Sequence, residues 1–297
     1  MVNQYENLYG TSSSYGFPTG DTYNLDCGGA QSFEFKSMDL CNPAKFIRVN
    51  NMGEEVVNGS NYVMIIDPTS KKIDFKVGIG LSNNIYDKDS NGGYIKNYQG
   101  KRFDELVSDD NARLNGQLPF AAFNADFIQG DNKTPFGLDV SRGVEYSGPN
   151  KDSQYSLGIG SDGELTIQIG LRNKTSLNYN IIGGYGRFYG DNIFIDICGS
   201  LGWHACSLSV KRSLAVTTSG GYLIALVNND SSPFTGLQIS DFKHLFSKIS
   251  SDNNLGYVKD GLAFDGGNSP AFRYNYNNEF INGNHIGSAL LIYIKKQ

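Results

Sequence analysis

Three short stretches set polar, chemically useful residues directly beside apolar, strand-like runs. They are Asn124 and Asp126 in FAAFNADF, Arg212 in SVKRSLAV, and Asp265, Gly266, Gly267, Asn268 and Ser269 in GLAFDGGNS. A carboxylate at the end of a buried strand is held by the sheet and partly desolvated, and it can reach a cleft built by loops. That suits general acid/base work and cation binding. Glycines beside it keep side chains away, so a substrate can approach the backbone closely. Taken singly, each stretch has a plainer reading too. Asp-Gly-Gly is what a turn asks for, Asn124 and Asp126 suit a side-chain-capped loop, and Arg212 suits a surface residue whose stem lies on the sheet.

Other chemistries fit the sequence poorly. His204, His244 and His285 form no H-x-x-x-H pair, and His244 falls on a helical segment where a solvent-facing role is expected. There is no G-x-S-x-G and no phosphate-binding P-loop. Cys27, Cys41, Cys198 and Cys206 match no zinc spacing. They read as buried free thiols, although local pairing would suit an extracellular protein. No cofactor is required, and paired carboxylates leave room for a divalent cation such as calcium.

The elements that must hold these residues are mostly strands. From Lys45 onward strand signals dominate, and NYVMIIDPTSKKIDFKVGIG reads as a hairpin turning at Asp67-Pro68. Phe103, Leu106 and Val107 sit at helical spacing ahead of a buried strand over Phe120 to Phe123. Two stretches, SLGIGSDGELTIQ and SLAVTTSGGYLIALV, each read as a hairpin and resemble one another, which hints at an internal duplication. The clearest helix is SDFKHLFSKI, with Phe242, Leu245, Phe246 and Ile249 on one face and Ser240 as its cap. LGYVKDGLAFDGGNS and HIGSALLIYIKK then read as strands.

With 297 residues, 36 Gly, 18 Tyr, 18 Phe and only 19% charged residues, the composition favours strands and turns. The expected fold is α+β: a twisted, mostly antiparallel sheet with a few short packed helices over residues 45–297. Residues 1–44, polar and without periodicity, are expected to form an N-terminal arm or edge segment. A net charge of −5 with no basic run longer than two residues argues against nucleic acid. No signal peptide is visible, and no apolar run is long enough to span a bilayer.

The motifs in their order resemble the phosphodiester glycosidase domain family, found in enzymes that remove N-acetylglucosamine from sugar-phosphate diesters and in bacterial and phage proteins. The matching features are Asn-Ala-Asp-Phe after an apolar strand, P-x-G at Pro135 to Gly137, and Arg-Ser-x-x-Val from Arg212. Gly236-Leu237 before a helix and F-D-G-G-x-S ending at Ser269 complete the set. The resemblance runs from about Asn61 to the C-terminus and is firmest from Arg212 to Ser269. The family usually has a third glycine where Asn268 stands, and often an Arg and an Asn where Asn284 and Ser288 align.

What the resemblance implies is a hydrolase that cleaves between a sugar's anomeric carbon and a phosphodiester, in a cell-surface or teichoic-acid-like polymer. Asp126 and Asp265 would then support the oxocarbenium-like state, and Arg212 would hold the phosphate. Asn124, Gly266, Gly267, Asn268 and Ser269 would bind substrate. The rival expectation is a glycan-binding module that keeps the fold without cutting. The expected partners are carbohydrate and virion or surface-assembly proteins, and the expected setting is a virion or the cell exterior.

Overall fold

Strands Asn61–Ile66 (NYVMII), Ser213–Thr218 (SLAVTT) and Leu223–Asn228 (LIALVN) are apolar on both faces, so each face needs a cover. In the computed structural model they occupy the middle of a seven-stranded sheet. The model describes residues 44–49, 61–88, 94–98, 100–129, 134–148, 155–169, 179–190, 193–194, 211–228, 242–281 and 283–295. The order in this sheet is Ala44–Val49, Asn61–Ile66, Leu223–Asn228, Ser213–Thr218, Val258–Ala263, Gly186–Gly190 and Ile193–Phe194. Alternate residues split between two cores. Val63, Ile65, Leu214, Val216, Ile224 and Leu226 face one side, while Met64, Ile66, Ala215, Leu223, Ala225 and Val227 face the other.

The first side is covered by the helix Phe242–Asp252, whose Phe242, Leu245, Phe246 and Ile249 are all buried at the spacing that one helical face requires. Phe246 meets Phe188 of the sheet with ring centroids 6.0 Å apart. His244 points to solvent. The second side is covered by two five-stranded sheets. One runs Asn277–Ile281, Ala271–Tyr274, Ala121–Asn124, Ser288–Ile294, Ile73–Ile79. The other runs Val144–Ser147, Asp139–Ser141, Asn180–Gly184, Tyr155–Ile159, Leu165–Ile169. A short helix, Phe103–Ser108, closes the outer face of the former through Phe103, Leu106 and Val107. Every ladder in the three sheets is antiparallel. The architecture is thus sheet-rich and antiparallel, and among the described residues there are two short α-helices and no helix long and apolar enough to cross a membrane.

Two expectations need correction. One twisted sheet was expected, and there are three large ones, because strands that are apolar on both faces cannot be covered by the sheet that contains them. The Asp67-Pro68 turn is present, with Ser70 N–H donating to Asp67 O at 3.2 Å, but it joins no hairpin. Asn61–Ile66 pairs with Ala44–Val49 and Leu223–Asn228, whereas Ile73–Ile79 pairs with Ser288–Ile294. The burial pattern gives the reason. Asp74 and Lys76 alternate with buried Ile73, Phe75 and Val77, so this strand has one half-exposed face and suits the outer layer. The two later hairpins form as read, in register over Tyr155↔Ile169 and Ser213↔Val227, but in different sheets. The cysteines, His204, Ser240 and the Gly236-Leu237 pair lie outside the described residues, as does the N-terminal segment as far as residue 43.

The outer sheets meet at a polar seam along the free edge of Ile73–Ile79. Ser141 Oγ accepts from Val77 N–H at 3.1 Å, and Asn180 Nδ2 donates to Phe75 O at 3.3 Å. Edge groups that a neighbouring strand would satisfy are satisfied here by side chains. Packing of the helix on the central sheet carries a direct test. Phe246→Ala should cost about 3–5 kcal/mol of stability, read as a lower urea midpoint. Lys248→Ala, which removes only the exposed pair with Asp252, should cost less than about 0.5 kcal/mol.

Candidate functional site

One end of all three sheets gathers the polar residues picked out by sequence. Ala121–Asn124, Val258–Ala263 and Asn180–Gly184 finish there, and Ser213–Thr218, Ser288–Ile294 and Asp139–Ser141 begin there. The antiparallel registers enforce this, pairing Asn124 with Ala289, Leu214 with Ala263, and Val140 with Ile181.

Asn124 is fully buried and joins two of the sheets. Its Nδ2 donates to Asp265 O at 2.8 Å, its Oδ1 accepts from Ala271 N–H at 3.0 Å, and its carbonyl accepts from Ser213 Oγ at 3.0 Å. Asp265 N–H in turn donates to Ala125 O at 2.9 Å. The Asn124 amide is therefore occupied within the protein and ties the end of one strand to the Asp265 loop.

The two glycines after Asp265 do different work. A Cβ on Gly266 would sit 2.8 Å from Lys211 O, so only glycine lets this loop lie against the segment before Arg212. Gly267 has φ +65° and donates to Lys211 O at 2.9 Å. Ser269 N–H closes the turn onto Gly266 O at 3.1 Å. The turn reading and the site reading of this stretch are both satisfied, because the turn fixes Asp265 beside the strand that Arg212 precedes. Gly267 and Asn268 are exposed, and Ser269 is buried.

Asp126 lies in the loop after Asn124 and is wholly buried. Its carboxylate accepts from Phe127 N–H at 2.8 Å and from Gly137 N–H, and its own N–H donates to Ser288 Oγ at 3.2 Å. Gly183 permits this approach, since a Cβ there would lie 2.8 Å from Asp126 Oδ2. Burial pushes Asp126 well above the usual carboxylate range, against the pull of those backbone donors. Asp265 is only partly buried, and its pKa rises to about 7. Burial is the main cause, the Asp126 charge adds to it, and the Ser269 hydroxyl and Gly266 N–H oppose it. Arg212 is 7% exposed, and burial lowers it to about 10.

The structure thus brings Asn124, Asp126, Asp265 and Ser269 into one neighbourhood, with the backbone of Arg212 adjoining. No ion pair joins Arg212 to Asp265. Sequence reasoning missed Asp139. It is fully buried, stands within hydrogen-bonding reach of the Asp126 carboxyl, and is raised far above the usual range by burial and by the Asp126 charge. The signal in PFGLDV was slight, an aspartate that lies two residues after a glycine and opens the three-residue strand Asp139–Ser141. Ser288, which the sequence marked only as a position where the family often has an asparagine, opens SALLIYI. Among the described residues no group of three His, Cys, Asp or Glu side chains is placed to hold a metal ion.

No protein-family model and no curated protein matches the chain. Solved structures share its fold. The chain is similar to the zebrafish N-acetylglucosamine-1-phosphodiester alpha-N-acetylglucosaminidase catalytic domain, auto-inhibited by its pro-peptide. That match has 11% identity and a TM-score of 0.56, and covers 86% of this chain and 89% of the other. It is also similar to a hypothetical protein from Synechocystis, at 13% identity and a TM-score of 0.53, over 85% of this chain and 61% of the other. At such identities the likeness establishes a distant relationship of fold.

The raised acids make stability depend on pH in a defined direction. Between roughly pH 4 and 7 the folded chain binds more protons at Asp126, Asp139 and Asp265 than the unfolded chain does, so unfolding free energy falls as pH rises through this window. The unfolding free energy should therefore be lower at pH 8 than at pH 5 by something on the order of 2 kcal/mol, read as a lower urea midpoint. An equal or higher midpoint at pH 8 would contradict the assigned burial.

Proposed function

We propose that this protein hydrolyses a glycosyl phosphodiester, cleaving between the anomeric carbon of a sugar and its phosphate, with an N-acetylglucosamine-type sugar in a surface polymer as the first candidate. The observation that carries the reading is the placement of Asp265. A partly exposed carboxyl, raised to about 7, sits at a strand end next to the segment of a buried arginine, on a fold shared with a phosphodiester glycosidase domain.

In this reading ionised Asp265 faces the anomeric carbon and stabilises the oxocarbenium-like transition state, as nucleophile or as electrostatic support. A phosphodiester leaves readily, so an arginine that neutralises it can stand in for part of the usual general acid. Arg212 takes that role. Ser269 holds Asp265, and Gly266 and Gly267 let substrate come close. Asn268 stands exposed at the rim. Tyr185 and Phe127, half-buried with ring centroids 5.1 Å apart, offer an aromatic face for a sugar ring. Asp126, being buried, acts on Asp265 through its charge.

A second reading has one observation in its favour. Asp126 is fully buried, so only one of the two expected carboxylates is open to substrate, as suits a module that binds glycan without cutting it. Either reading sets the protein at a glycan surface, in a virion or outside the cell. Recovery solely from cytosol would argue against that setting.

Turnover of aryl or nucleotide phosphodiesters of N-acetylglucosamine tests the proposal. Asp265→Asn should lower kcat by about 10²–10⁴-fold with folding unchanged. Because Asp265 must be ionised, kcat/KM in the wild type should rise with pH through about 7. Arg212→Ala should raise KM and lower kcat, with a larger effect on the diester than on an aryl glycoside that lacks phosphate. If a broad diester panel yields no hydrolysis while glycan still binds, the binding module replaces the enzyme.

A further inference from the structure

Asp139 takes no part in the contacts proposed above, yet it is the acid in closest touch with Asp126. Gly137 N–H donates to the Asp126 carboxylate, and two residues later Asp139 opens its strand with its carboxyl within hydrogen-bonding reach of the same group. The Ser147 hydroxyl braces the pair from outside. It accepts from Asp139 N–H at 3.2 Å and donates to Gly137 O at 2.5 Å. Both acids are 0% exposed, and Gly183 packs directly against Asp126. Asp139 Oδ1 has no hydrogen-bond partner.

Two carboxylates in contact, in a dry site, cannot both be ionised without a cation, and among the described residues no lysine, arginine or histidine forms an ion pair with either. One hydrogen held between the two groups removes a charge and gives the orphaned oxygen a partner. We infer that Asp139 is a positioning residue of the candidate site, sharing one hydrogen with Asp126 so that the pair carries a single negative charge that sets the field at Asp265. This rests on the reading of Asp265 as the working carboxylate.

Among the described residues the ionisable groups around the pair are few. The loop after Ala121–Asn124 brings Asp126, the strand Asp139–Ser141 brings Asp139, and the loop after Val258–Ala263 brings Asp265. The segment before Ser213–Thr218 brings Arg212, and Tyr185 lies on Phe127. Ser147 and Ser288 supply neutral hydroxyls. Of these, Asp126 is the charge that raises Asp265. Asp139→Ala would remove the hydrogen that Asp126 shares, so Asp126 would ionise at higher pH, whereas Asp126→Asn would remove the charge that keeps Asp139 protonated, so Asp139 would ionise at lower pH.

Carboxyl ¹³C NMR of the full-length chain, labelled at aspartate and titrated from pH 4 to 9, tests this without reference to turnover. In the wild type, one aspartate carboxyl should still not have reached the ionised position at pH 8. The Asp126 midpoint should rise in Asp139→Ala, and the Asp139 and Asp265 midpoints should both fall in Asp126→Asn, that of Asp139 by about one pH unit or more. Complete ionisation of every aspartate at pH 8 in the wild type, which requires no variant to fold, overturns the shared hydrogen. An Asp139 midpoint unmoved in Asp126→Asn does the same. Where the diester is turned over, Asp139→Ala should displace the midpoint of the pH profile to lower pH, and a loss of rate with the midpoint unchanged would overturn the positioning role. Failure of the diester panel alone would sink the proposed activity and leave the carboxyl pair standing.

Discussion

The buried amide of Asn124 is the interaction on which this end of the molecule depends. Its strand belongs to an outer sheet, while the groups it meets lie on the approach to Asp265 and at Ala271, and its carbonyl takes the hydroxyl of Ser213 from the central sheet. Apolar packing holds the layers together over most of their area but is non-directional and would tolerate sliding. A fully buried amide with both ends engaged does not, because each backbone partner left unsatisfied costs about 1–3 kcal/mol. The register between the layers, and so the spacing of Asp126 and Asp265 on either side of Asn124, is set by hydrogen bonds that accept one geometry.

Close approach is the second condition, and glycines meet it. Gly183 lets a strand end lie against the Asp126 carboxylate, and Gly266 lets the Asp265 loop lie against Lys211. Elsewhere the same device serves packing alone. Gly163, with φ +91°, brings the turn of one hairpin to Pro68, where a Cβ would fall 2.2 Å from a carbonyl oxygen. A glycine-rich sequence of this kind is built for loops that touch, and the acids are carried on such loops.

The fold was legible wherever the apolar pattern was complete. The helix through Phe242 and Ile249, the short helix at Phe103 and the two later hairpins could be read because each buries residues at a single period. The pairing of Ile73–Ile79 with Ser288–Ile294, more than two hundred residues apart, could not. Local pattern shows that a strand has one polar face, but not which partner covers the other. At the site, Asp265 stood out because it interrupts an apolar run. Asp139 begins only the short strand Asp139–Ser141, with Val140 its one apolar residue, so it passed as an ordinary strand boundary, and only the fold shows that this boundary lies against Asp126. Ser288 was visible only as a position where the family often has an asparagine, and the bond its hydroxyl accepts from Asp126 N–H comes from the fold.

Burying Asp126 and Asp139 together is a poor way to stabilise a domain. Each carboxyl gives up water, and both lie among sheets whose shared core is apolar, with Phe123, Leu157, Ile182 and Leu290 among its members. Backbone donors from Phe127 and Gly137 recover part of the cost at Asp126, yet its pKa stays raised, so desolvation outweighs them. An apolar pair of similar volume would fit the packing and would remove the pH dependence. What such a pair could not supply is a fixed negative charge beneath Asp265, in a medium where it is screened far less than it would be at the surface. The acids therefore make physical sense as parts of an electrostatic site whose cost is borne by the surrounding sheets, and Asp265 is the member of that site that meets solvent.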